Sequence, residues 1–201
     1  MNKSRRREAR YAASLRPLPP RVAWFLWQAR RHAVRSGDQF SLASAARPVQ
    51  LAALLELARG RDRVVELGTG SAWSAIALAL EDSGRRVGSY DPVVRPEREA
   101  YLAMVSAAVR QRIDLRDEAD TAGPRPDESA DLLFIDSSHD RESVLAAFGT
   151  WRSALAPGAV VAFHDYGHAE YPGVREAVLE LALSGEESDG MFVWRAQGSG
   201  A

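Results

Sequence analysis

The chain has no cysteine in its 201 residues, which excludes disulfides and thiolate-held metal sites. Long hydrophobic runs are also missing: the early apolar stretch at 22 to 27 is far shorter than the roughly 20 residues that cross a bilayer. No secretory leader is recognisable, so a cytoplasmic protein with no membrane segment is the expectation. Acidic residues are scarce at the start, where residues 1 to 37 hold ten Lys or Arg against Glu8 alone; the remainder carries 16 basic and 26 acidic residues. Lys3, Arg5, Arg6, Arg7, Arg10 and Arg16 form a basic arm able to attract nucleic acid, an acidic membrane or an anionic substrate. Aromatic residues are absent from the first ten positions, so RNA finds no stacking surface there, and a solvated, partly disordered arm is expected. Internal repeats are absent, and only residues 198 to 201 are of low complexity. One domain suits this length.

Apolar Val22, Phe25, Leu26 and Ala29 recur at helical spacing with arginines opposite, predicting a helix over 21–35 that packs on the core or on a partner. Trp24 and Trp27 in this helix are assigned packing. A loop over 36–44 and a helix over 48–58, closed by Gly60, follow. From there the pattern alternates. Strands are predicted at 63–68, 86–91, 112–116, 131–137, 158–164 and 191–196, and helices at 71–82, 96–110, 141–155 and 173–184. Strands regularly separated by helices imply a mainly parallel sheet wrapped on both faces. The division is a basic arm and helical cap over 1–44 and the main domain over 45–201.

Chemistry should sit where each apolar run stops, because open α/β sheets bind ligands beyond the carboxyl ends of their strands. The first run ends in Glu66-Leu67-Gly68-Thr69-Gly70-Ser71, whose glycines permit a tight turn and a close backbone approach. Asp91 ends the second run, 21 residues after Gly70, a spacing that suits a carboxylate gripping ribose hydroxyls. Trp73 occupies the position where a dinucleotide fingerprint needs its third glycine, so a pyrophosphate fits poorly. Glu66 would also repel a pyrophosphate, but it would accept hydrogen bonds from an ammonium group. S-adenosylmethionine carries that group and no phosphate. Later ends carry Asp117 and Glu118, then Asp136 and His139, then His164, Asp165 and Tyr166.

The acidic residue followed by Gly-x-Gly, Glu66-Leu-Gly68-Thr-Gly70, resembles the first motif of class I S-adenosylmethionine-dependent methyltransferases. The segments at 131–140 and 155–168, with Ile135-Asp136-x-x-His139, the Pro157-Gly158 turn and Asp165-Tyr166, are similar to bacterial small-molecule O-methyltransferases related to macrocin O-methyltransferase. The stretches at 171–178 and 192–195 carry the likeness further, so that it spans about 45 to 196. Ser137 stands where relatives often have glycine, and His164 precedes Asp165 where many have a second acid. The resemblance implies a Rossmann-like doubly wound α/β fold with a seven-stranded, mainly parallel sheet, an antiparallel C-terminal strand and added N-terminal helices. A brief strand near 186–188 would complete that sheet. It further implies S-adenosylmethionine as cofactor, held by Glu66, Gly68, Gly70, Ser71, Asp91, Asp136 and, at the adenine, Glu118.

Methyl transfer is an in-line displacement, so the protein aligns donor and acceptor and deals with the acceptor proton. A histidine can take that proton, or a divalent cation such as Mg²⁺ can lower the hydroxyl pKa. Asp136 and Asp165, at adjacent strand ends, could share one cation as in the catechol O-methyltransferase arrangement. The third ligand there is an asparagine after the second aspartate, a position held here by Tyr166. Catalysis is therefore assigned to His139, His164 and Asp165, with each histidine expected near its ordinary pKa, and metal ligation to Asp136 and Asp165. His168 is assigned to an exposed loop, and His32 has no site role. Trp151, Trp194 and Phe134 are assigned to the core. The expected acceptor is a hydroxyl on a small molecule. RNA methylation, favoured only by the arm, and a non-catalytic accessory role are the alternatives. The exposed apolar face at 22–29 permits a homodimer.

Overall fold

The structure, a computed structural model, describes residues 3–197 and side chains from residue 6; the Lys3 and Arg5 side chains of the arm and the tail at 198–201 lie outside the described residues. The helices are α1 (Lys3–Ser14), α2 (Pro20–Ser36), α3 (Gln39–Ser44), α4 (Pro48–Leu57), α5 (Trp73–Glu81), α6 (Glu97–Leu102), α7 (Ala107–Arg110), α8 (Arg141–Trp151) and α9 (Pro172–Glu180). The strands are β1 (Arg63–Leu67), β2 (Arg86–Tyr90), β3 (Ile113–Arg116), β4 (Ala130–Ile135), β5 (Leu155–Phe163), β6 (Gly185–Ser188) and β7 (Met191–Arg195). They form one sheet in the order β3-β2-β1-β4-β5-β7-β6. All neighbours are parallel except β5 with β7 and β6 with β7. This is the mainly parallel, seven-stranded architecture expected, including the short strand near 186–188.

Successive strand residues point to opposite faces, and both faces are apolar. Val64, Val87, Leu132, Phe134, Val160 and Ala162 enter one core with α2, α4 and α5. Val65, Leu67, Leu133, Ile135, Val161 and Phe163 enter the other with α8 and α9. Burying each larger side chain of this kind stabilises by about 1.5–3 kcal/mol. Phe134 and Trp151 are fully buried and Trp194 is partly so, as expected of core residues. The buried Arg85 donates to the carbonyls of Ala58, Arg61 and Leu78 while pairing with Glu81 at 2.6 Å. It thereby satisfies the orphan carbonyls at the ends of α4 and α5.

Four segments depart from the expected elements. The basic arm is helical as α1 rather than disordered, because Tyr11 gives it a face to bury: its hydroxyl donates to Leu26 O at 3.4 Å, and Arg30 lies over its ring. Val22, Phe25 and Leu26 of α2 belong to the same core as the sheet. The loop at 36–44 contains α3, whose first turn is capped by the Asp38 carboxylate accepting from Ser41 N at 2.9 Å. The helix at 96–110 is two helices, the second restarted by a Ser106 cap. The helix expected to 155 stops at Trp151, and β5 begins at Leu155, with a register shift opposite β4 that leaves Pro157 and Gly158 exposed.

Candidate active site

The sheet register builds the site. Leu67 pairs with Tyr90 on one side and with Ile135 on the other, and Ile135 pairs with Phe163. The next residue of each strand therefore falls in one row: Gly68, Asp91, Asp136 and His164. The ladder continues through this row, with Gly68 N donating to Tyr90 O, Asp136 N to Leu67 O and His164 N to Ile135 O, all at 2.8–2.9 Å. The row lies beside the point where the strand order reverses between β1 and β4, the usual ligand position in such sheets. It opens into a cavity of about 780 Å³.

At the end of the row nearest β1 and β2 the backbone turns tightly. Gly68 adopts φ +103°, and a Cβ there would lie 2.1 Å from Asp136 O, so only glycine allows β1 and β4 to converge. Gly70 and Ser71 line the cavity. Asp91 accepts from Gly70 N at 2.9 Å and from Val93 N at 2.8 Å. The buried Arg98 braces it at 2.9 Å while donating to Gly70 O and Val93 O. Arg98 was not singled out from sequence; an arginine seven residues after a carboxylate carries no signal of its own.

Glu66 is fully buried and lies outside the lining. Its Oε2 accepts from Ser89 at 2.5 Å, and its Oε1 has no geometric partner. Burial lifts its carboxyl to about 7; the Asp136 and Asp91 charges push the same way, and hydroxyls of Ser74 and Ser89 oppose them. Glu118 is not brought to the cavity: its carboxylate lies 3.6 Å from Arg125. Asp120, two residues on, lines the cavity instead and accepts from Ser137 Oγ at 2.6 Å. The 3-10 turn that begins at Asp120, anchored by the Trp151 indole donating to its carbonyl, turns the chain back toward the site.

At the other end, Asp136, His139, His164 and Asp165 offer ligand atoms that all lie within 4.8 Å of one another. His164 Nδ1 is 2.7 Å from Asp136 and 3.4 Å from Asp165, and His139 Nε2 is 3.2 Å from Asp165. The 2.7 Å contact requires a proton on His164 Nδ1, although the angles at His139 Nε2 and at both His164 nitrogens are poor for hydrogen bonding. Asp165 adopts the left-handed φ of +55°, which turns its carboxylate into the cluster. Tyr166, by contrast, is buried against Phe192 and contributes nothing to the cavity. The position of the expected third ligand is thus vacated, and imidazoles complete the cluster.

Burial disfavours a charge on His164, but Asp136 and Asp165 outweigh it and lift its imidazole to about 10. This corrects the expectation of an ordinary pKa: without a cation His164 is an imidazolium at neutral pH. Burial likewise opposes the charge on Asp165, yet His139 and His164 hold its carboxyl well below the usual range. His139 stacks on Tyr171 at 4.2 Å, and Tyr171 stacks on His168 at 4.7 Å. Exposed as expected, His168 still lines the cavity. Gly173 admits this arrangement, since a Cβ there would lie 2.6 Å from His139 O.

A methyltransferase-domain family profile matches residues 65–166, half of the chain. The chain belongs to that family, and its fold is that of the class I S-adenosylmethionine-dependent methyltransferases. Among solved structures it resembles the O-methyltransferase TomG of Streptomyces achromogenes, described as involved in tomaymycin synthesis and in complex with S-adenosylmethionine. The identity is 21% and the TM-score 0.66, over 85% of this chain and 90% of that one. It also resembles an O-methyltransferase from Bacillus cereus in complex with S-adenosylhomocysteine (18%, TM-score 0.67, 85% and 89%). Cofactor-bound Rv0187 from MTB is a third (21%, TM-score 0.68, 86% and 91%). No curated protein matches the sequence.

Proposed function

We propose that the chain transfers the methyl group of S-adenosylmethionine to a hydroxyl of a small-molecule acceptor, with a divalent cation such as Mg²⁺ at the four-residue cluster. The observation that carries this reading is the continuity of one cavity from the glycine turn to Asp136, His139, His164 and Asp165. Gly68, Gly70 and Ser71 let the backbone approach the cofactor, and Asp91, braced by Arg98, takes the ribose hydroxyls. Glu66, buried behind the glycine turn, would act on the cofactor indirectly, through the Ser74 side chain that lines the cavity.

The cluster fits a cation. Two carboxylates supply hard oxygens, and two imidazole nitrogens lie with them inside 4.8 Å, close enough for one ion to displace the histidine protons and share all four. Asp136 and Asp165 would hold the ion, with His164 beside them. When bound, the cation would lower the pKa of the acceptor hydroxyl and hold its oxygen in line. His139, lining the cavity 3.2 Å from Asp165, is assigned the removal of the acceptor proton, with Tyr171 stacked on its ring. Transfer of a tritiated methyl group from S-adenosylmethionine to a panel of phenolic and sugar hydroxyls, with and without Mg²⁺, tests the reading. Transfer to a hydroxyl that stops on chelation supports it. Transfer to nitrogen acceptors alone overturns the assignment.

A further inference from the structure

None of the eight described arginines up to Arg35 lies within 4.0 Å of a carboxylate, against eight of the sixteen beyond it. On the body, Arg59, Arg63, Arg85, Arg98, Arg116 and Arg141 each sit within 4.0 Å of a carboxylate. Arg6, Arg7, Arg10, Arg16, Arg21, Arg30, Arg31 and Arg35 have no such partner among the described residues. Arg21, Trp24, Gln28, Arg31 and Arg35 recur at three- and four-residue spacing, so they share the face of α2 opposite the buried Val22, Phe25 and Ala29. Trp24 is 59% exposed on this face and stacks on Trp27 with ring centroids 4.9 Å apart. Beside them lies an apolar groove of about 440 Å³, lined by Ala12, Leu15, Leu18 and Ala23 with both indoles and edged by Arg16.

We propose that this face docks the protein on anionic phospholipid bilayers. The arginines match the negative surface of such a bilayer, and each contributes through charge alone. The exposed indole and the apolar groove supply the second, hydrophobic signal that stable interfacial binding needs. Tryptophan suits this depth because its ring is apolar and its N–H stays with the headgroups. RNA fits less well. The ring of Trp27 is covered by Trp24 and by Arg31 at 4.4 Å, so one indole face at most is open to a base, and the aliphatic groove offers nothing to a phosphate. A second copy would set one arginine-rich face against another.

Co-sedimentation of the full chain with vesicles tests this, using phosphatidylcholine alone and phosphatidylcholine mixed with phosphatidylglycerol, at low and high salt. Binding is expected to the mixed vesicles only and to fall as salt rises. Arg21→Ser and Arg31→Ser should each weaken it about fivefold, and Trp24→Ala about tenfold. All three variants should bind S-adenosylhomocysteine like the native chain, since none of these residues lines the main cavity; this also shows that they fold. Absence of binding to the mixed vesicles, or equal binding to neutral ones, would overturn the proposal. So would preferential binding of homopolymer RNA at the same salt, or a dimer that Trp24→Ala dissolves while vesicles bind neither form.

Discussion

Replacing Glu66 by glutamine should separate the stability of this fold from its affinity for ligand. The carboxyl is fully buried, with one oxygen accepting from Ser89 and the other without a geometric partner. Burial raises its pKa from 4.5 to about 7. Between those values the folded protein retains a proton that the unfolded chain has released, so stability falls as pH rises through this window. The interval corresponds to about 3 kcal/mol, absent below pH 4.5 and complete above about pH 7. Glu66→Gln keeps the shape and the acceptor for Ser89 but removes the charge. For a chain of this size about 1 kcal/mol moves the unfolding midpoint by about 2–4 °C, so at pH 8 the ligand-free variant should melt roughly 6–12 °C higher. Near pH 5 the two proteins should nearly coincide. S-adenosylhomocysteine titration should move the other way, with weaker binding by the variant. Thermal melts by circular dichroism at both pH values decide it: a variant no more stable at pH 8, or equally stabilised at both, refutes the reasoning.

Gly68→Ala should cost more than about 2 kcal/mol in urea unfolding, because its Cβ would fall 2.1 Å from the Asp136 carbonyl; a cost below about 0.5 kcal/mol would mean that β1 and β4 do not converge as described. Arg98→Met should leave the protein folded but weaken S-adenosylhomocysteine about tenfold in calorimetry, since Asp91 loses its brace at 2.9 Å. Asp91→Ala should weaken the cofactor, while Asp165→Ala should spare it and abolish methyl transfer. Equal cofactor loss in both would contradict the division of the cavity into donor and acceptor ends.

The fold was legible where periodicity was strong. The runs at 63–68, 86–91 and 131–137 needed only their apolar residues and the turn that follows each one, and the strand ends carried the ionisable groups that the register gathers into a row. Boundaries set by short-range polar contacts were not legible: α3 depends on an Asp38 cap, and the break before α7 on Ser106. The arm concealed a helix because a single tyrosine and one neighbouring arginine anchor it. Within the site, Arg98, Asp120 and Tyr171 act through contacts distant in sequence, which spacing does not reveal. The elevated pKa of His164 arises from two carboxylates on different strand ends, a juxtaposition that only the register creates. Glu118 shows the converse, since an acid close to a strand end turns outward to Arg125 when the following turn supplies another.

The proposed activity requires one cavity to take S-adenosylmethionine at the glycine turn, against a cation cluster at its other end. Calorimetric titration of the ligand-free protein with S-adenosylhomocysteine, with and without Mg²⁺, and with NAD as the comparison ligand tests it most directly. Micromolar binding of S-adenosylhomocysteine under both conditions, and none of NAD, is expected. Binding of NAD in its place, or of neither ligand, would contradict it.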